Sequence, residues 1–168
     1  SGYAVSDSYA NLVTGTSTTA AKAAAVTGSA GNITVTDAGL NVTEARTIEA
    51  LSNSGTNAYV VADTISSVLT APSSVVNSAT AVSTTDATLT VAEANSLVSK
   101  YGAAKVSDTS FVISDTAANL MGASAAAIAE AQANNGVVVS AGTATVAQAL
   151  AINTAAGTKL NKATVDIS

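Results

Sequence analysis

Five aspartates recur at one place in the chain. Asp7, Asp37, Asp63, Asp86 and Asp115 close the short runs that begin at Tyr3, Ile33, Tyr59, Val82 and Phe111. If these runs are parallel strands laid side by side, neighbouring carboxylates lie about 5 Å apart. A row of like charges is unfavourable unless something neutralises it, and calcium, which takes carboxylate oxygens, is the one cofactor this column could hold. The alternative is that each Asp caps the helical turn after its strand by accepting backbone amides. Asp-Ser or Asp-Thr before a helical stretch is what capping requires. Ala141 stands at the same place after Val137, so one member dispenses with the carboxylate. Capping is the expected role, and no cofactor is required.

Other chemistry is thinly supplied. The 168 residues contain no His, Cys or Trp, so zinc and haem sites of the usual kind, a thiol nucleophile and an imidazole base are all excluded. Ser99 near Lys100 or Lys105 is a conceivable nucleophile and base, but no strained elbow, glycine cradle or third orienting group accompanies it. Glu44 and Glu93 stand three residues after Asn41 and Thr90, where they act as capping partners. The chain is therefore not expected to be an enzyme. Thr34 and Thr36 share an outward face, as an ice-binding array would need. The equivalent positions elsewhere, such as Ala4/Ser6 and Val60/Ala62, give no regular Thr ladder.

The composition narrows the partners. Charged residues are 10% and the net charge is -5, with six Lys and Arg scattered along the chain, which argues against nucleic acid. No run approaches 18 apolar residues, so membrane insertion is not expected, and no signal peptide is recognised. Ala, Ser and Thr make up about half of the chain. Such a surface is covered by hydroxyls and methyls rather than ions, and it suits a secreted or cell-surface protein.

The elements that must position the Asp column form a repeat. After the Asp, two patterns alternate. One reads Asp-Ser/Thr-x-x-Asn/Ser-Leu/Val, from Asp7, Asp63 and Asp115. The other reads Asp-Ala-x-Leu-x-Val-x-Glu-Ala, from Asp37 and Asp86, with a degenerate copy from Ala141 to Ala149. Two signatures that keep phase define double units of about 53 residues, at about 3–58, 59–110 and 111–163. Residues 164–168 begin a further unit that stops where its Asp would come. An extra Val106 to Thr109 before Phe111 is the one irregularity.

The runs alternate with period two. Tyr3/Val5, Ile33/Val35, Tyr59/Val61, Val82/Thr84, Phe111/Ile113, Val137/Val139 and Val165/Ile167 point inward. Capping boxes at Asn41–Glu44, Thr90–Glu93 and Thr145–Gln148 start helices whose buried stripes begin at Val42, Val91 and Val146, with Gly55, Gly102 and Gly157 as stop signals. Shorter helices are expected over Tyr9–Val13, 20–26, Ile65–Leu69, Ser73–Ser78, Ala117–Met121 and Ala125–Ala133. Strand alternating with helix implies parallel pairing through right-handed crossovers. The expected fold is α/β: a single repeat domain over 1–168, built as a solenoid-like parallel sheet of about seven short strands alternating with Ala-rich helices.

Three phrases carry a resemblance: Ser114 to Leu120 (Ser-Asp-Thr-Ala-Ala-Asn-Leu), Thr85 to Ala94 (Thr-Asp-Ala-Thr-Leu-Thr-Val-Ala-Glu-Ala) and Thr145 to Leu150 (Thr-Val-Ala-Gln-Ala-Leu). They resemble repeats in very large secreted surface proteins of cyanobacteria and proteobacteria, including motility-associated and type I-exported, calcium-repeat-containing proteins. The resemblance runs in phase over nearly the whole chain. It implies an extracellular, structural or adhesive role. The Gly-Gly-x-Gly-x-Asp nonapeptides that accompany such proteins are absent, so it assigns calcium to no residue here. The expected partners are neighbouring repeats or a second copy joined end to end through strand edges. A surface glycan, bound by Ser, Thr and Asn on loops, is the alternative, although Tyr9 and Tyr101 are the only Tyr outside the core strand position.

Overall fold

β-Branched and aromatic residues in alternation form the strands of the computed structural model, which describes residues 2–13, 28, 30–106, 111–140 and 142–168. They are β1 (Tyr3–Asp7), β2 (Ala30–Val35), β3 (Asn57–Asp63), β4 (Ala79–Thr84), β5 (Thr88–Leu89), β6 (Val112–Asp115) and β7 (Val137–Val139). Between them run α1 (Tyr9–Val13), α2 (Val42–Glu49), α3 (Ile65–Thr70), α4 (Ser73–Ser78), α5 (Val91–Tyr101), α6 (Ala117–Leu120), α7 (Ala125–Glu130) and α8 (Val146–Ala156). Two 3-10 turns, Gly157–Lys159 and Lys162–Thr164, follow α8.

The chain divides into two compact units, Ser1–Ser83 and Thr84–Ser168. The first holds a four-stranded sheet in the order β1-β2-β3-β4, and the second a three-stranded sheet in the order β5-β6-β7. β1, β2 and β3 pair in parallel, as do β5, β6 and β7. Spatial order follows chain order, because each strand is returned to its neighbour by a helical crossover. The mixed α/β class with parallel sheets is thus the one the alternation predicts.

A second, thinner row of pairings runs beside the strands. Leu40 bridges Val61, Leu89 of β5 pairs with Ile113, and Ala144 bridges Ile167. Leu40, Leu89 and Ala144 occupy one repeat position, two residues ahead of Val42, Val91 and Val146, the first helical residues of α2, α5 and α8. This register fixes which strand end faces which helix start.

The core is aliphatic, with Tyr59 as a buried aromatic in the first unit and Phe111 and Tyr101 in the second. Leu12, Ile33, Ile48, Tyr59 and Val61 fill the first, and Leu89, Leu97, Phe111, Ile113 and Val137 the second. Several parts of the expected pattern fail: the described strands form two sheets rather than one of about seven, residues 165–168 make a single bridge from Ile167 to Ala144 in place of a strand, and Val146, expected to begin a buried stripe, is exposed. Tyr3 and Ile167 are exposed and Val165 is half-buried, against the expected inward position. The helix expected over Ala125–Ala133 ends at Glu130, since the Gln132 amide leaves it to bond the Phe111 carbonyl at 3.1 Å. α2 ends at Glu49 with Ala50 as its cap, so it is not stopped by Gly55. The Gly55 amide instead bonds the Gly31 carbonyl at 2.9 Å, so close that a Cβ on Gly55 would overlap Gly31 and the Asn32 side chain. Gly102 and Gly157 do close α5 and α8, both with positive φ. The expected helix over 20–26, the extra tract over 107–109 and Ala141 lie outside the described residues.

Candidate functional site

The Asp column is a recurrent polar feature, and its geometry follows from strand register. In the copies at Asp7, Asp63 and Asp115, Oδ1 turns forward into the chain's own helix. It accepts the next residue's amide, from Ser8 at 2.8 Å, Thr64 at 2.7 Å and Thr116 at 2.8 Å. Asn11 and Asn119, four residues on, add side-chain donors to Asp7 and Asp115 at 2.7 Å each. These contacts explain the Asp-Ser/Thr-x-x-Asn signature: a carboxylate and an amide close the first helical turn together. Thr64 and Thr116 cap the same turns with their hydroxyls.

Oδ2 does something the sequence reading missed. It turns back to the preceding segment and accepts the first helical amide there. Val42 donates to Asp63 at 2.9 Å across 21 residues, and Val91 donates to Asp115 at 3.1 Å across 24. Asp37 does the same for Tyr9 at 2.6 Å. One carboxylate thus joins two successive segments. The signal was present in the chain: Asp63 and Asp115 lie two residues beyond the strand residues that pair with Leu40 and Leu89, with the recipient amide two residues beyond that Leu, and Asp37 and Tyr9 keep the same count from the Val35–Asp7 pair. Period-two reading of single strands does not look across segments, so it saw only the forward half.

Asp86 differs. Its Oδ2 accepts the Thr84 hydroxyl at 3.3 Å, and its amide donates to the same Oγ1 at 3.1 Å. Thr84 is buried through this turn.

The electrostatics follow the donor count. For Asp115, burial raises the carboxyl pKa, but bonds from Asn119, Val91 and Thr116 outweigh it and hold the group below its ordinary value. Such donors stabilise a carboxylate without a cation. Among the described residues no group of three or more His, Cys, Asp or Glu is placed to hold a metal ion.

A cleft of about 400 Å³ lies where α5 meets β6 and α6, lined by Val91, Ala92, Asn95, Asp115, Ala118, Asn119 and Gly122. Its polar wall is engaged. Both Asp115 oxygens hold amides, and Asn95 donates to the Gly122 carbonyl at 3.0 Å and accepts the Ser124 amide at 2.9 Å. The cleft is the visible seam between two stitched segments.

The remaining candidates separate. Glu44, Glu93 and Gln148 complete capping boxes on α2, α5 and α8. Ser99 is exposed on α5. Thr34 and Thr36 are exposed side by side, while Thr84, at an inward position, is buried. Tyr101, one of two Tyr available as a glycan platform, is buried, and burial pushes its phenol pKa up. Lys159, which the sequence does not single out, donates to the carbonyls of Ala129 and Ala131 and closes the C-terminal end of α7.

No protein-family model, no curated protein and no solved structure matches the chain.

Proposed function

We propose that the chain is a non-catalytic structural or adhesive repeat module of an extracellular surface or matrix protein, and that its segments stack as rungs of an α/β solenoid. The observation that carries this reading is the two-way use of Asp63 and Asp115: the most regular polar residues of the repeat hold one segment to the next. Hydrogen bonds of this kind convert a sequence repeat into a stacking rule, and function in such a protein comes from length and a repeated face. A surface of Ser, Thr and Ala with 10% charged residues presents that face with little ionic character. The reading assigns no cofactor and no substrate.

Scanning calorimetry with calcium, and again with a chelator, tests it together with a glycan array. The expected results are an unchanged melting temperature and no specific glycan. A calcium-dependent rise in melting temperature, or saturable binding to one glycan class, contradicts it.

A further inference from the structure

The tight turn between α7 and β7 holds a pairing found nowhere else in the sequence. Asn135 is followed by Gly136, and no other Asn in the chain precedes a Gly. Among the described residues Asn135 is also the one residue other than Gly with positive φ (56°), a backbone state that Asn tolerates better than most side chains. It is exposed, and its side chain makes no hydrogen bond among the described residues. Gly136 is buried. Its carbonyl accepts the Ile113 amide at 2.8 Å, but its own amide meets no acceptor among the described residues. A Cβ on Gly136 would overlap the Gln132 backbone, so the close fit of the turn requires Gly and leaves the Gly136 nitrogen unflanked by a side chain.

These features make a reactive pair. The carboxamide carbon of an Asn and the main-chain nitrogen of the next residue close a five-membered ring when nothing holds either of them. At Asn53, Asn95 and Asn119 the same step is hindered. Asn53 donates to the Gly31 and Gly55 carbonyls, Asn95 bonds Gly122 and Ser124, and Asn119 holds Asp115. Each of the three is also followed by a residue that carries a side chain.

We propose that Asn135 and Gly136 form a site of spontaneous covalent modification, with water as the co-reactant. The Gly136 nitrogen bonds to Asn135 Cγ, the bond from Cγ to the side-chain nitrogen breaks, and the Gly136 amide proton leaves with that nitrogen as ammonia. The product is a cyclic imide. One water then opens the ring. Attack at Cγ leaves an aspartyl residue at position 135. Attack at the main-chain carbonyl leaves an isoaspartyl residue, whose main chain runs through Cβ and is one carbon longer. Both products carry a new carboxylate. The longer one acts on β7, because the Gly136 carbonyl holds the Ile113 amide at the head of the register that pairs Ile113 with Val137. An extra main-chain carbon lifts Gly136 off Gln132 and breaks that register. The turn is thus a one-way clock on the β6–β7 pairing. This chemistry needs only the turn and does not depend on the stacking reading.

Ageing the full chain in mildly alkaline buffer, followed by peptide mass spectrometry and enzymatic isoaspartyl labelling, tests the site. Asn135 is expected to show the mass gain of an NH-to-O exchange at least about tenfold faster than Asn53 or Asn95, because a hydrogen bond that must open first costs about that factor in rate. The isoaspartyl label should appear in the same peptide, and the aged chain should melt at a lower temperature. Asn135→Gly accepts positive φ and removes the reacting carbon, so its melting temperature should not change on ageing. Ageing in urea supplies the reference rate of the unfolded chain. Asn53 or Asn95 reacting as fast as Asn135 in the folded chain overturns the site, as does an Asn135 that reacts more than about tenfold more slowly folded than unfolded. A modified chain whose melting temperature is unchanged, or an aged Asn135→Gly chain that loses as much as the wild type, overturns the clock.

Discussion

α5 and α8 begin and end alike. Each has eleven residues, a Thr capping box at its start and a Gly with positive φ at its end. Their surroundings differ. Val91 of α5 is buried, its amide is held by Asp115, and Asn95 bonds the next segment at Gly122 and Ser124. Val146 and Leu150 of α8 face outward. The lesson is that a helix start is specified within four residues, whereas burial of that helix is supplied by the segment that follows. Short helices gain most of their stability from packing, so the two helices should respond differently to the same change.

The largest contrast is in the core. Leu97→Ala in α5 removes a fully buried side chain and is expected to cost about 3 kcal/mol in urea unfolding. Val91→Ala is expected to cost about 2 kcal/mol, against under ~0.5 kcal/mol for Val146→Ala. Equal costs for the two valines would remove the comparison. Asp115→Ala strips donors of their acceptor in two segments and is expected to cost about 1.5 kcal/mol, more than a one-sided cap. A loss no larger than that of Thr116→Ala, measured in the same way, would mean the backward bond contributes nothing. Thr90→Ala and Thr145→Ala should each cost about 1 kcal/mol, and equally, because a capping box is local. A cost at Thr145 much below that at Thr90 would show that caps too depend on the neighbour.

The smallest effect is on pH. The Asp115 carboxyl is lowered in the folded state, so the unfolded chain takes up this proton first as pH falls. Its contribution is fully present above the ordinary Asp range near pH 4 and is lost as pH drops through the depressed folded value. Acid titration of wild type and Asp115→Asn should therefore diverge at neutral pH and converge as pH falls through the depressed folded value. Parallel curves over the whole range would contradict the assignment.

Much of this was legible because the repeat states it more than once. The capping boxes at Asn41, Thr90 and Thr145 rest on contacts three residues apart, and the structure makes all of them. Strand positions were equally local: Ile33/Val35, Tyr59/Val61 and Val137/Val139 point inward as alternation requires. The failures were long-range. Tyr3 and Ile167 have the same residue types as their buried counterparts, and periodicity cannot show which copies are covered. The backward bond of Asp63 and Asp115 spans 21 and 24 residues, so it becomes visible only when two copies are set in register. Lys159 reaches α7 across 28 to 30 residues, and nothing near it in sequence announces that contact.

Amide hydrogen exchange at Val91 and Val146 tests the central claim most directly, since both are first helical residues behind the same cap, and of the two it is Val91 that is covered and whose amide is held by the following segment's carboxylate. Val91 should exchange slowly and Val146 fast, and Asp115→Ala should bring Val91 to the rate of Val146 while leaving Val146 unchanged. Equal rates at the two sites in the wild-type chain, or a Val91 rate that ignores the loss of Asp115, would contradict it.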